Sequence, residues 1–285
     1  MNRYPFRTTK RSWEEDMAEG SKALEGKVAI VTGAGSSGPG VGTGKAISIL
    51  LARQGAIVVL VDKFEDRAQE TLDTIKSEGG EATIVTADLA QIPECQRIVD
   101  ETVKAYGGVD ILINNAAMSA SVSLLDTTPE FYQQMVAVNL TAPFMLSKAA
   151  IPEMIKRGYG SIIFITSIAA LRGNAGGRGA AAYAASKAGM HGLMTDIAAV
   201  FGPQGIRVNC VAPGMINTPM RAGVMAKTGL DVEKLNKQLA QRTALRIEGT
   251  AWDIAKAVTF LVGPDGSYIT GVLLPVDAGV TQLMG

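Results

Sequence analysis

From Lys27 onward, short apolar runs alternate with longer stretches in which apolar residues recur at helical spacing. The runs predict strands at Val28 to Thr32, Ala56 to Asp62, Glu81 to Ala87, Asp110 to Asn114, Ser161 to Thr166, Arg207 to Val211 and Val272 to Val276. The stretches between them predict helices near 43 to 53, 65 to 77, 94 to 105, 129 to 156, 181 to 200 and 251 to 262. This is the rhythm of repeated βαβ units. Runs as uniformly apolar as Ile111 to Ile113 and Ile162 to Ile165 need cover on both faces, and right-handed crossovers then wind the chain doubly around one sheet. The prediction is a single α/β domain over 27–285, a doubly wound parallel sheet of about seven strands with helices on both faces.

Two regions depart from the rhythm. Met215 to Glu248 mixes Met, Gly and Thr with a charged helix-like stretch from Asp231 to Arg242, and an excursion leaving the carboxyl edge of a sheet is where ligand-covering segments belong. We read 215–248 as a substrate lid, with a surface excursion as the alternative. Residues 1–26 carry Arg3, Arg7, Lys10 and Arg11, but Glu14, Glu15 and Asp16 stand where a secretory signal needs its apolar run. They are expected to form an arm on the body or on a neighbouring subunit, with disorder as the alternative.

Composition removes several function classes. Lys plus Arg and Asp plus Glu both total 27, so no excess positive charge points to nucleic acid or an anionic membrane. No stretch has the ~18 consecutive apolar residues of a membrane span. Cys95 and Cys210 are the two cysteines, too few for a disulfide framework and unlike a metal motif in spacing, and they suit a reducing compartment. His191 is the single histidine, which argues against a histidine-rich metal site and a serine-histidine triad. The expectation is a soluble cytoplasmic protein acting on a small neutral molecule, with no metal.

The candidate chemistry begins with Tyr183 and Lys187, four apart in Tyr-Ala-Ala-Ser-Lys. Residues at that spacing share a helix face, so the ammonium is expected to lie beside the phenol and favour its ionised form. An unperturbed tyrosine titrates near ~10, and work near neutrality needs roughly 4 kcal/mol in favour of phenolate. Ser167 follows an apolar strand and is expected at its carboxyl end, where its hydroxyl can bind a substrate oxygen. Upstream, Val28 to Ser36 reads as a strand running into a glycine-rich turn, the arrangement that brings backbone amides and a helix N-terminus to a pyrophosphate. A triphosphatase loop is rejected because Pro39 and Ala46 occupy the positions that need Gly and Ser or Thr.

Together, Thr32-Gly-Ala-Gly-Ser36, Asn115-Ala-Ala, Asn139, Ser167 and Tyr183-x-x-x-Lys187 resemble the short-chain dehydrogenase/reductase family over about residues 27 to 280, a Rossmann-like fold. The glycine turn departs from the family pattern, because Ser37 interrupts it and Ser37 to Val41 reads as an insertion before Gly42, Thr43 and Gly44. Ala117 stands where a glycine is usual. Ser167 and Tyr183 are also further apart than usual, with the extra residues in the glycine-rich Arg172 to Gly179.

The resemblance implies an enzyme with Asn139, Ser167, Tyr183 and Lys187 as its catalytic set. Tyr183 exchanges the proton of the alcohol, Lys187 lowers its pKa and holds the nicotinamide ribose, and the main chain of Asn139 holds a water. The cofactor would be gripped by Gly33, Gly35, Ser36, Gly42, Thr43, Gly44, Asp88, Leu89, Asn115, Ala116, Ala117, Pro213, Gly214, Ile216 and Thr218, beside Tyr183 and Lys187. Asp62 closes the second strand, where an acid binds ribose hydroxyls and repels a 2′-phosphate. NAD is therefore preferred over NADP, although Lys63 works against it. Met118, Met215, Met220 and Met225 are candidates for an adaptable apolar pocket, with core filling as the other reading.

The expected activity is NAD-dependent interconversion of a secondary alcohol, cyclic alcohols and diols included, with a ketone. The enzyme alternative is an NADPH-dependent ketone or 3-oxoacyl reductase, and the alternative of another class is a non-catalytic dinucleotide-binding scaffold or sensor. The resemblance also implies a homotetramer.

Overall fold

The computed structural model describes residues 22–173, 179–221 and 232–283. Most of the expected arm, the centre of the Arg172 to Gly179 segment and the stretch holding Met225 lie outside those residues.

Every predicted strand of the main sheet forms. They are β1 (Val28–Thr32), β2 (Ile57–Asp62), β3 (Ala82–Thr86), β4 (Ile111–Asn114), β5 (Gly160–Ile165), β6 (Ile206–Pro213) and, after two short strands, β9 (Leu273–Val276). All pair in parallel in the order β3-β2-β1-β4-β5-β6-β9. The chain reverses its winding between β1 and β4, and a crevice opens at such a switch point beyond the carboxyl ends of the strands.

The helices are α1 (Thr43–Arg53), α2 (Glu65–Ser77), α3 (Ile92–Tyr106), α4 (Pro129–Val136), α5 (Ala142–Arg157), α6 (Ala181–Phe201), α7 (Val232–Ala240) and α8 (Ala251–Val262). Side-chain alternation sends Val31, Leu60 and Ile113 to one face, against Ile47, Leu72 and Val258 of α1, α2 and α8. Their neighbours Ile30, Val59 and Leu112 face Ile98, Leu146 and Met190 of α3, α5 and α6. Both faces are therefore dry, as the uniformly apolar strands require.

The predicted helix over 129–156 is continuous in path but not in hydrogen bonding, because a π-helical turn, Ala137–Thr141, separates α4 from α5. Periodicity shows only that one face stays apolar, and an extra residue in one turn barely disturbs that pattern. The run Pro129–Arg157 is long and apolar enough to cross a membrane by length and composition, yet Leu146, Ala150 and Met154 are buried in the core.

Two strands escaped the sequence reading. β7 (Ile216–Asn217) and β8 (Gly249–Thr250) pair in parallel, joining the start and end of the excursion expected over 215–248. Each is two residues long, too short for periodicity to reveal.

Candidate active site

The glycine turn between β1 and α1 is shaped by close approaches. Gly33 takes φ +62, and a Cβ there would lie 2.9 Å from the Ala116 Cα. At Gly35 it would lie 2.5 Å from the Arg67 Cβ, and at Gly44 it would strike the Gly33 carbonyl oxygen. Side chains are excluded, so the backbone itself lines the space before α1. Gly42 precedes the first residue of α1 and donates its amide to Ser36 Oγ at 2.8 Å. The inserted Ser37 to Val41 stays beside this turn, and Gly38 and Gly40 face Pro219, across from the segment after β6.

Asn115 fixes the turn against β4. Its Nδ2 donates to Thr32 O at 2.8 Å and to Gly33 O at 3.0 Å, while its own amide donates to Thr32 Oγ1 at 3.0 Å. On the other side of the turn, Asp62 at the end of β2 accepts from Gly35 N at 3.0 Å through Oδ2 and from Phe64 N at 3.1 Å through Oδ1. The carboxylate expected to face a ribose thus also braces two backbone segments. Lys63 turns away to Asp88, 2.7 Å from its Oδ2, and this ammonium holds the Asp88 carboxyl below its ordinary value despite the opposing effect of burial.

Ser167, Tyr183 and Lys187 converge at the carboxyl end of β5. Ser167 begins the turn after β5 and accepts from Ala169 N at 3.1 Å. Tyr183 lies in the first turn of α6, and Lys187, one turn later, reaches under the ring to place Nζ 5.9 Å from its centroid. Lys187 is 1% exposed and donates to Ile165 O at 2.7 Å.

Here the structure corrects one expectation: without a ligand, the ammonium does not pull the Tyr183 phenol down. Burial pushes the phenol up, with the Ser167 hydrogen bond opposing, and the same burial lowers Lys187 to about 7. Desolvation penalises both charged forms, and Nζ is spent on a carbonyl rather than on the phenol.

Asn139 is fully buried within the π turn and does not line the cleft. Its Oδ1 accepts from Met118 N at 2.8 Å, and its Nδ2 donates to Met118 O at 2.9 Å and to Ser186 Oγ at 3.1 Å. Ser186 in turn donates to Tyr183 O at 2.8 Å. The side chain therefore ties the segment after β4 to the helix that carries Tyr183.

One cleft of about 750 Å³ joins these parts. Gly33, Gly35, Ser36, Gly42, Thr43, Gly44, Asp62, Asp88 and Leu89 line one end. Asn115, Ala116, Ala117, Ser167, Tyr183, Lys187, Pro213, Gly214, Ile216 and Thr218 line the rest. All the residues predicted to hold a cofactor thus share one wall-to-wall space, and the Cβ-free turn at a helix start suits a pyrophosphate.

Among the cleft residues that sequence reasoning did not single out are Phe64 and Arg67 beside Asp62, Gln134 on α4, and Arg221 after β7. Gln134 stands four before Val138, which also faces the cleft, so helical spacing carried a signal. Arg221 had none beyond its nearness to Thr218. Of the four candidate methionines, Met118, Met215 and Met220 line the cleft. Cys95 is pushed up to about 11 and Cys210 to about 12, both chiefly by burial, which makes them inert thiols.

Comparison with known proteins places this geometry in a wider set. The family profile described as enoyl-(acyl carrier protein) reductase matches residues 39–281. The chain is 40% identical over 261 residues to the 3-oxoacyl-acyl-carrier-protein reductase FabG of Vibrio cholerae, covering 91% of this chain and 99% of that one. It is 36% identical over 256 residues to the 2,5-dichloro-2,5-cyclohexadiene-1,4-diol dehydrogenase LinX of Sphingobium indicum, covering 90% and 96%. Among solved structures, a chain from Burkholderia xenovorans assigned as a short-chain dehydrogenase/reductase superposes with a TM-score of 0.87 at 33% identity, covering 92% and 99%. A chain from Beutenbergia cavernae assigned as an NAD(P)-dependent gluconate 5-dehydrogenase, with NADP bound, superposes at 0.82 and 32% identity, covering 93% and 100%. With the profile spanning most of the chain, and relatives matched over nearly their whole length, this protein belongs to the short-chain dehydrogenase/reductase family of oxidoreductases.

Proposed function

We propose that the protein oxidises a secondary alcohol to a ketone with NAD, using Ser167, Tyr183 and Lys187 as its catalytic groups. The observation that carries this reading is their convergence in a cleft continuous with the glycine turn. A bound nicotinamide dinucleotide supplies the hydride acceptor and, when oxidised, a positive charge that favours phenolate. The protein's own part is to place the alcohol oxygen between the Ser167 and Tyr183 hydroxyls, so that the phenolate of Tyr183 takes its proton. Lys187, held on Ile165 O, fixes the ring from below and lends charge when protonated. Asn139 acts at one remove, through Ser186.

NAD is supported by Asp62, whose carboxylate is anchored by two amides in the cleft. A second reading, reduction of a ketone or 3-oxoacyl group with NADPH, is favoured by Arg67, which packs its guanidinium 4.0 Å from the Phe64 ring in the same part of the cleft. The FabG relative and the NADP-bound neighbour point the same way. The two readings separate on turnover with each dinucleotide, and preference for NADPH removes the first. Tyr183→Phe is expected to lower kcat at least ~100-fold, the scale of a lost acid-base group. Normal turnover in that variant removes the proton-transfer assignment.

We also propose a cytoplasmic homotetramer, and a lid over 215–248. The lid reading is supported by Met215, Met220 and Arg221 in the cleft wall.

A further inference from the structure

Two charged side chains leave the end of β2 in opposite directions. The Asp62 carboxylate turns toward β1, where its Oδ2 accepts from Gly35 N in the glycine turn at 3.0 Å. The Lys63 ammonium goes the other way, to Asp88 Oδ2 at 2.7 Å. Asp88 follows the end of β3, and β3 flanks β2 on the side away from β1. Backbone pairing sets this reach. Asp62 is in register with Thr86, and Ala87 N donates to Asp62 O at 2.9 Å, so the two strands end level and Lys63 faces the start of the next turn. Asp88 is itself anchored, because its Oδ1 accepts from Ala90 N at 3.0 Å. Asp62, Lys63 and Asp88 all line the cleft.

NAD and NADP differ only by a phosphate on the 2′-oxygen of the adenosine ribose, and an acid that closes the second strand of such a sheet faces that ribose. Lys63 is the very next residue and carries its charge on a flexible four-carbon stem. A free ammonium there would attract the phosphate that Asp62 repels. The ion pair settles this conflict by direction, keeping the acid on the β1 side and drawing the base to the β3 side. The Lys63 side chain is 56% exposed and that of Asp88 34%, so the pair adds little to stability. Charge rather than packing holds the lysine, and without the Asp88 carboxylate its stem is free to turn.

We propose that Asp88 is a positioning residue for cofactor choice: it holds Lys63 on the β3 side and so keeps that ammonium from a 2′-phosphate. The inference rests on a nicotinamide dinucleotide lying in the cleft and deepens that reading. It does not depend on which alcohol is oxidised.

The test is calorimetric titration of the full-length protein with NAD and with NADP at low ionic strength, and it needs no alcohol. Wild type, Asp88→Asn, Lys63→Met and the double variant are compared. Both dinucleotides carry the same adenine, so the ratio of their affinities cancels any contact between residue 88 and that ring. Arg67, stacked on Phe64, is present in all four proteins. Asp88→Asn is expected to shift the ratio toward NADP at least about fivefold, the scale of one exposed charge pair. Lys63→Met alone is expected to leave the wild-type ratio within about twofold, and in the double variant to erase the gain of Asp88→Asn. The kcat/KM values with each dinucleotide should follow the same pattern.

An unchanged ratio in Asp88→Asn overturns the proposal. So does a gain that survives in the double variant, which would assign it to the lost negative charge of Asp88 rather than to Lys63. A loss of NADP affinity on Lys63→Met as large in wild type as in the Asp88→Asn background also overturns it, since the lysine would then already serve the phosphate. Wild-type preference for NADP removes the NAD reading, while these shifts still decide the role of Asp88. Binding of neither dinucleotide removes both.

Discussion

Lys187 holds its charge at a cost. Its pKa of about 7 lies below the ordinary lysine value of 10.5, so between those values the unfolded chain binds the extra proton. Stability from this site therefore rises as pH climbs from about 7 toward 10.5, and the penalty is fully present below 7. Lys187→Met is expected to raise the melting temperature of the ligand-free protein at pH 7 by roughly 3 to 6 °C, with the gap closing toward pH 10. A variant that melts lower than wild type at pH 7 would show that the bond to Ile165 O outweighs desolvation. The Tyr183, Lys187 and Ser167 cluster was legible because it depends on local relations, a four-residue helix spacing and a strand end. The direction of their titration was not, since burial is set by the packing of α6 on β5 and β6. Asp62 was legible as a cleft residue, but its grip on Gly35 N and Phe64 N depends on how β1 and β2 end side by side.

Among the elements, the long helix shows most plainly what periodicity cannot report. The π turn between α4 and α5 rotates Asn139 into the interior, where it bridges Met118 and Ser186. Asn139→Ala leaves both polar groups of Met118 without these side-chain partners. It is expected to lower stability by about 2 to 4 kcal/mol in chemical denaturation, from at least two lost buried hydrogen bonds. If the tie also positions Tyr183, kcat should fall about tenfold while KM for the dinucleotide holds within about twofold. Intact kcat in a destabilised variant would confine Asn139 to structure. The inserted Ser37 to Val41 was visible as an interruption of the glycine pattern, yet its contact with Pro219 joins segments that no local rule connects.

At the scale of the molecule, the two edges of the sheet have different tasks. The carboxyl edge carries the cleft, and the amino edge is stitched by Asp110, 1% exposed, which accepts from Val28 N and Arg157 Nε at 2.9 Å each and sits 3.5 Å from Lys27 Nζ. Asp110→Ala removes the side-chain ties that hold the start of β1 and the end of α5 to residue 110, while the backbone pairing of β1 with β4 stays. With both cations about a third exposed, the expected loss is about 2 to 4 kcal/mol in a urea titration, with kcat/KM unchanged because the substitution lies at the edge away from the cleft. A fall in kcat/KM would mean that strain travels across the sheet. The doubly wound parallel sheet was legible from the βαβ rhythm and crossover handedness, whereas the β7–β8 pair rests on contacts between residues far apart in the chain. That clasp has an evolutionary consequence. Because Ile216 and Asn217 are hydrogen-bonded to Gly249 and Thr250, the body meets the same doorway whatever chain runs between them, and descendants can exchange that stretch for another, changing diet without relearning the reaction.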